Sequence, residues 1–336
     1  MHFTTATVSA LALFAVSAST GPISSNVLIV SKTAPAAPNV FRTVQAAIDA
    51  VPEHANTEQI IRVHAGIYFE QVTIAKSKPR VTLVGEGRNS SVIQFNRSSH
   101  TDGSSVSPTT VRVEADDFTA FGMTFMNTNT DAFLGEVGVR VAGPSPALYT
   151  QGVRNAVYNS WVLGWQDTLL VNRGNVLFIN SFIEGAVDYI WGRGGAAFFH
   201  NCTLNTLRSG GYIIAEGTTA PVGGLNFTNL DSLLNSKNAP AGVANFYLGR
   251  PWGTAATAFF VDSFIPATIN PTYWHTMTQG ATPLYSDIGS KGPGANSISV
   301  NTALSVVVTK DQAAEFLSMD AWIPGASSWI QNPHRF

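Results

Sequence analysis

Val157-Tyr158-Asn159-Ser160-Trp161, Phe178-Ile179-Asn180-Ser181-Phe182 and Phe199-His200-Asn201-Cys202-Thr203 are three versions of one block, each set 21 residues after the last. Gly164 and Gly185 keep the same step. A period of about 20–25 residues built from short β-branched and aromatic runs describes one coil of a parallel β-helix, with coils stacked ~4.8 Å apart. Leucine-rich repeats share the length but need a leucine pattern that is missing here. The spacing predicts that Asn159, Asn180 and Asn201 form a ladder at one bend, hydrogen-bonded along the stack. A laddered asparagine is expected to be buried, which makes Asn201 a poor glycan acceptor.

The rest of the chain agrees with a strand-rich solenoid. Charged residues make up only 12% of the 336 residues, about half the usual globular share, which is too few for helical bundles or coiled coils. Hydrophobic residues at 45% exclude a disordered chain. A net charge of −2 leaves no broad electropositive surface for nucleic acid. The single cysteine, Cys202, excludes an intrachain disulfide and a cysteine-built zinc site and reads as a small buried hydrophobe.

Short strands are expected at Ile60–Val63, Arg80–Val84, Thr109–Val113, Val137–Val141, Val176–Ile179 and Ala196–His200. Amphipathic helices occur only near the ends. Val44, Ala47, Ile48 and Val51 follow the N-cap Thr43 at helical spacing. Thr309 and Gln312 have capping-box spacing ahead of a short helix toward Leu317. The expected fold is therefore all-β: a single-stranded, right-handed parallel β-helix with short helices covering its ends.

Residues 1–18 read as a signal peptide, with a short apolar run and the small residues Val16-Ser17-Ala18 at a cleavage site. Residues 19–336 then form one secreted, extracellular domain that neither crosses a membrane nor needs a second subunit. Sequons at Asn89, Asn96, Asn201 and Asn226 suit a secretory route.

Asp167 and Asp188 are also 21 residues apart, so an in-register stack places them on adjacent coils. Trp165, Tyr189 and Trp191 surround them, where an ion is poorly solvated. Two readings fit this spacing. One is a pair of turn aspartates capping backbone amides. The other is a carboxyl pair with split pKa values, one a proton donor and the other an ionised nucleophile.

Gly164-Trp165-Gln166-Asp167-Thr168-Leu169 and Gly185-Ala186-Val187-Asp188-Tyr189-Ile190-Trp191-Gly192 resemble the signature blocks of pectin methylesterases, usually written Gly-Tyr-Gln-Asp-Thr-Leu and Gly-Thr-Val-Asp-Phe-Ile-Phe-Gly. Gly66-Ile67-Tyr68-Phe69-Glu70, Leu248-Gly249-Arg250-Pro251-Trp252, Trp274-His275 and Gly292-Pro293-Gly294-Ala295 match further blocks in order. The resemblance runs from about Val40 to Trp329. It implies a right-handed parallel β-helix that demethylates homogalacturonan to pectate and methanol, with no metal and no organic cofactor. It assigns Asp188 as nucleophile, Asp167 as general acid and base, Gln166 as oxyanion donor and Arg250 as the cation orienting Asp188. Trp252 and Tyr189 match aromatics of the sugar-binding cleft, and Trp165 and Trp191 are assigned to the same polysaccharide-binding surface.

One position departs from the family pattern. Pro144-Ser145-Pro146-Ala147-Leu148 stands where the family has Gln-Ala-Val-Ala-Leu, and proline supplies neither side-chain donor nor N–H. Gln151 replaces that donor only if the local loop is rebuilt. The alternative to an active esterase is thus a catalytically weakened pectin-binding β-helix.

A third reading, a polyuronide glycosidase or lyase, has only Asn129-Thr130-Asp131 in its favour. Asp116-Asp117 reads as a solvated turn, and His64, His200 and His275 lack metal-ligand spacing. The Gly-x-Ser-x-Gly of serine hydrolases is absent.

Overall fold

Asn159, Asn180 and Asn201 each turn the chain with a left-handed backbone, at φ of 47°, 52° and 51°. Asparagine tolerates that region better than other non-glycine residues. Each turn ends a strand of one sheet and starts a strand of the next. In the computed structural model, which describes residues 27–129, 143–219, 224–228, 232–234 and 245–331 apart from 296, 298, 310, 313 and 315–317, the strands fall into three parallel sheets. One has eleven strands and the other two have seven each. The chain visits the three in rotation, as in Asn155–Tyr158, Trp161–Leu163 and Leu169–Val171, which makes a right-handed parallel β-helix.

The 21-residue repeat is a true register. Val157 pairs with Phe178 and Phe178 with Phe199; Trp161 pairs with Phe182 and Phe182 with Thr203. Alternate side chains enter the core, where Phe178 and Phe199 stack at 4.8 Å with rings 7° apart. One contiguous cluster runs from Val30 to Leu304 inside the coils, and smaller buried clusters lie outside it.

Expected strands appear as Gln59–Val63, Val81–Gly85, Val111–Val113, Asn175–Ile179 and Ala196–His200. Val137–Val141, residues 1–18 and Asp131 lie outside the described residues, as does most of the helix expected toward Leu317. Its capping box does form: Thr309 N donates to Gln312 Oε1 at 2.9 Å and Gln312 N to Thr309 Oγ1 at 3.3 Å.

Two expectations are corrected. The asparagine ladder exists, with Asn201 Nδ2 donating to Asn180 Oδ1 at 2.7 Å, but it faces outward and Asn201 is exposed. The left-handed turn sends the following residues, Ser160, Ser181 and Cys202, inward instead. Burial is therefore no argument against a glycan at Asn201. The helices also differ in placement. Val44–Ala50 does cover the amino-terminal end, burying Val44, Ala47 and Ile48 behind Thr43, whose hydroxyl accepts from Ala46 N. Met319–Trp322 and Ala326–Trp329 instead lie along the flank of the eleven-stranded sheet, over Phe121, Tyr158, Leu177 and Phe198. That outer face is apolar and needs cover. The far end is closed by irregular coils carrying Ile265, Ile269, Tyr273 and Trp274.

Replacing Phe199 with alanine removes one ring of the buried stack. The Phe199→Ala protein is expected to lose about 3–5 kcal/mol in denaturant unfolding.

Candidate active site

Gly164 and Gly185 recur because each lies beneath an inward side chain four residues on. A Cβ on Gly164 would come 2.7 Å from Thr168 Oγ1, and one on Gly185 would come 2.2 Å from Tyr189 Cβ. With both turns drawn tight, Asp167 and Asp188 take left-handed φ values of 60° and 50° and leave the strand direction. Asp167 N donates to Val187 O at 3.1 Å and Leu169 N to Tyr189 O at 2.9 Å, so the two turns stack in register. The carboxyls lie on adjacent coils and are only 8% and 7% exposed.

The next two positions in this column are Tyr212 and Tyr247, whose rings stack at 5.3 Å. Arg250 pairs in register with Ala215, which pairs with Trp191. Its guanidinium lies 3.9 Å from the centre of the Tyr212 ring and reaches back to Asp188. There Nε donates to Oδ1 at 2.9 Å and Nη2 to Oδ2 at 2.5 Å. This bidentate pair excludes the reading of Asp188 as a simple cap of backbone amides.

The two carboxyls differ in their electrostatics. Burial first, and then the facing charge of Asp188, hold the Asp167 carboxyl well above the ordinary carboxylate range; a hydrogen bond from Gln166 and the charges of Arg250 and Arg193 oppose this. Burial also raises Asp188, but the hydrogen bonds and charge of Arg250 pull it back. Asp188 is therefore the group that ionises first, and Asp167 is the one that keeps its proton.

Gln166, Asp167, Asp188 and Arg250 come together as the sequence predicted. Trp165 is half-buried beside Gln166, and its carbonyl accepts from Ala186 N at 2.7 Å. Trp252 is 36% exposed and packs at 5.7 Å on Trp191, itself only 3% exposed. Tyr189 is the exception. It is fully buried, with its hydroxyl 3.1 Å from Thr206 Oγ1, because its position alternates inward under Gly185. It supports the turn from inside and lines no cleft.

Gln151 does not take the place of a donor at Pro144. It lies past the other end of the strand Leu148–Thr150, accepting hydrogen bonds from Asn172 Nδ2, at 2.9 Å, and from the Tyr149 hydroxyl. Pro144 sits half-buried next to the stacked turn, its carbonyl accepting from Ser99 N. Asp116 and Asp117 are engaged rather than merely solvated. Asp116 accepts from Val153 N, and Asp117 forms a two-pronged pair with Arg154 at 2.6 and 2.9 Å.

Sequence reasoning missed Arg193, Tyr212 and Tyr247. Arg193 lies over both Trp191 and Trp252, at 5.3 and 4.9 Å. Tyr212 escaped because the step into its strand is 24 residues, as Ile190 pairs with Ile214, and the 21-residue rhythm breaks there.

This stacked acid pair with its arginine is found in a chain whose residues 29–326 match the family model for pectinesterases. The chain belongs to the pectinesterase family. It is 33% identical over 266 residues to a pectinesterase of Emericella nidulans, covering 76% of this chain and 77% of that one. It is 32% identical over 307 residues to a pectinesterase of Arabidopsis thaliana, covering 87% of this chain but only half of that longer protein. Among solved structures, a pectin methylesterase from carrot superposes with a TM-score of 0.82 at 27% identity, over 94% of this chain and 96% of that one.

A carboxyl that binds its proton more tightly in the folded than in the unfolded state stabilises the fold below its ordinary pKa and loses that contribution as pH rises through the raised value. The Asp167→Asn protein is therefore expected to melt above the wild type at neutral pH. Thermal scans between about pH 4 and about pH 8 should show the gap widening with pH.

Proposed function

We propose that this pectinesterase-family protein hydrolyses the C6 methyl esters of homogalacturonan, releasing methanol and leaving pectate, with Asp188 as nucleophile. The observation that carries the reading is the pair of buried carboxyls on adjacent coils, one ion-paired to Arg250 and the other facing it with its pKa raised by burial and by that neighbouring charge.

The chemistry follows from these proton positions. The ionised Asp188 carboxylate, oriented by both nitrogens of Arg250, attacks the ester carbonyl carbon. Negative charge develops on the carbonyl oxygen, and the Gln166 amide, which rests on Asp167, is the nearby side-chain donor for it. As the tetrahedral intermediate collapses, Asp167 gives its proton to the departing methoxide, and methanol leaves. Asp188 is then joined to the galacturonyl carbon as an anhydride. Water attacks that carbon, Asp167 takes back a proton, and the acid product leaves Asp188 ionised again. Trp252 and Arg193 offer an aromatic face and one positive charge for the sugar chain beside the acids, and Trp191, 3% exposed, is the buried ring on which both rest. The backbone of Glu216 fixes Trp252, whose N donates to Glu216 O at 3.0 Å, and the ring lies where a Cβ on Gly217 would stand.

A secreted enzyme suits a polymer substrate outside cells, and the Val16-Ser17-Ala18 cleavage pattern supports that reading. Among the described residues no helix is long and apolar enough to cross a membrane.

Methanol release from highly methylated pectin tests the proposal. The Asp188→Ala protein should fold and release none; a full rate in that variant would overturn the nucleophile assignment. Restoring a side-chain donor with Pro144→Gln should raise kcat, toward the roughly 10²–10³-fold that one oxyanion donor contributes. An unchanged kcat would mean that the oxyanion is held without that position.

A further inference from the structure

A second open groove, of about 450 Å³, runs along the bend that carries the asparagine ladder, one sheet away from the acid pair. Its floor is the outer face of the strands Trp161–Leu163, Phe182–Gly185 and Thr203–Thr206. Trp161 and Phe182 stand in register on adjacent coils, with ring centres 6.0 Å apart, and Thr203 continues the row. Asn180 and Asn201 edge it. At one end the Arg88 guanidinium lies 5.7 Å from the Trp161 ring and donates to Asn180 O at 3.4 Å. Arg88 is exposed and forms no ion pair among the described residues.

This composition is that of a ligand site rather than of a satisfied surface. Aromatic faces in a concave row accept the C–H faces of sugar rings, while asparagine amides and a threonine hydroxyl offer both donors and acceptors to sugar hydroxyls. An arginine with no carboxylate partner adds a two-pronged donor for an acidic group. From Trp161 to Thr203 the row spans two coil steps, about 10 Å along the stack, so it accepts an extended chain. The acidic member of the same face, Glu184, is held by Asn205 Nδ2 at 2.5 Å, and burial raises its carboxyl.

We propose that this groove is a second polysaccharide-binding site, selective for a de-esterified, carboxylate-bearing galacturonate run, that is, for stretches of polymer already acted on. The choice of occupant rests on the esterase reading above and on charge. Arg88 complements a uronate carboxylate, whereas a methyl ester offers it only a neutral carbonyl. Binding here holds the product segment of a chain while the acid pair, on the neighbouring face, works on another segment.

The test uses the full-length protein made without glycosylation, because Asn201 carries a sequon and a glycan there would fill the groove. Retardation in gels containing polygalacturonate measures binding, and methanol release from a short methylated oligosaccharide measures catalysis. Arg88→Gln should weaken polygalacturonate binding by roughly tenfold for the loss of one charge-assisted contact, and Trp161→Ala should weaken it through the loss of a ring face. Both should leave short-oligosaccharide turnover unchanged, and Arg88→Gln should not alter retardation by fully methylated polymer. Wild-type protein that is not retarded by polygalacturonate, or variants retarded as strongly as wild type, would overturn the proposal. Arg88-dependent retardation in a protein that releases no methanol would uphold the groove and overturn the esterase reading alone.

Discussion

Parallel backbone hydrogen bonds between successive coils hold equivalent residues in columns one strand spacing apart, and the other features of this molecule depend on that constraint. Residues 21 apart cannot drift relative to one another without breaking the ladders on all three sheets. The core columns are then continuous stacks such as Phe178 on Phe199. The same constraint brings two buried carboxyl groups together at Asp167 and Asp188, an arrangement that costs stability and that a fold without enforced register would relax. The energy of the core and the ladders keeps this local strain in place.

The site also needs departures from regularity. Left-handed turns at Asp167 and Asp188 lift the carboxyls out of the strand direction, and glycines at 164 and 185 make room for Thr168 and Tyr189 beneath. Three extra residues before Tyr212 keep the stack but change what occupies the column, so an aromatic ring follows two acids. That ring is the surface across which Arg250 reaches Asp188. The pair is thereby made unequal: Asp188 is directly hydrogen-bonded to the guanidinium, whereas Asp167 is more deeply buried, faces the Asp188 charge and feels Arg250 and Arg193 only at a distance.

The repeat spacing determined the fold class and the stacking of the two aspartates, while Gln166 and Arg250 were legible only through the resemblance of their blocks to a known family. A solenoid repeats its hydrophobic and turn residues at a fixed step, so local spacing reports a long-range contact. Tertiary structure decided everything that depends on side-chain direction at a bend. It turned Tyr189 inward although Asp188 just before it faces the site, and it turned the Asn159–Asn180–Asn201 ladder outward, where a buried row was expected. It tied Gln151 to Asn172 and Tyr149, away from the acids, and it laid the last helices along a flank instead of over an end. It also brought in Arg193 and Tyr212, which no 21-residue step connects to the aspartates. The physical reason is common to all of these: spacing along the chain fixes which backbone positions stack, but a single positive φ reverses which side of the coil a residue faces, and composition carries no record of that reversal.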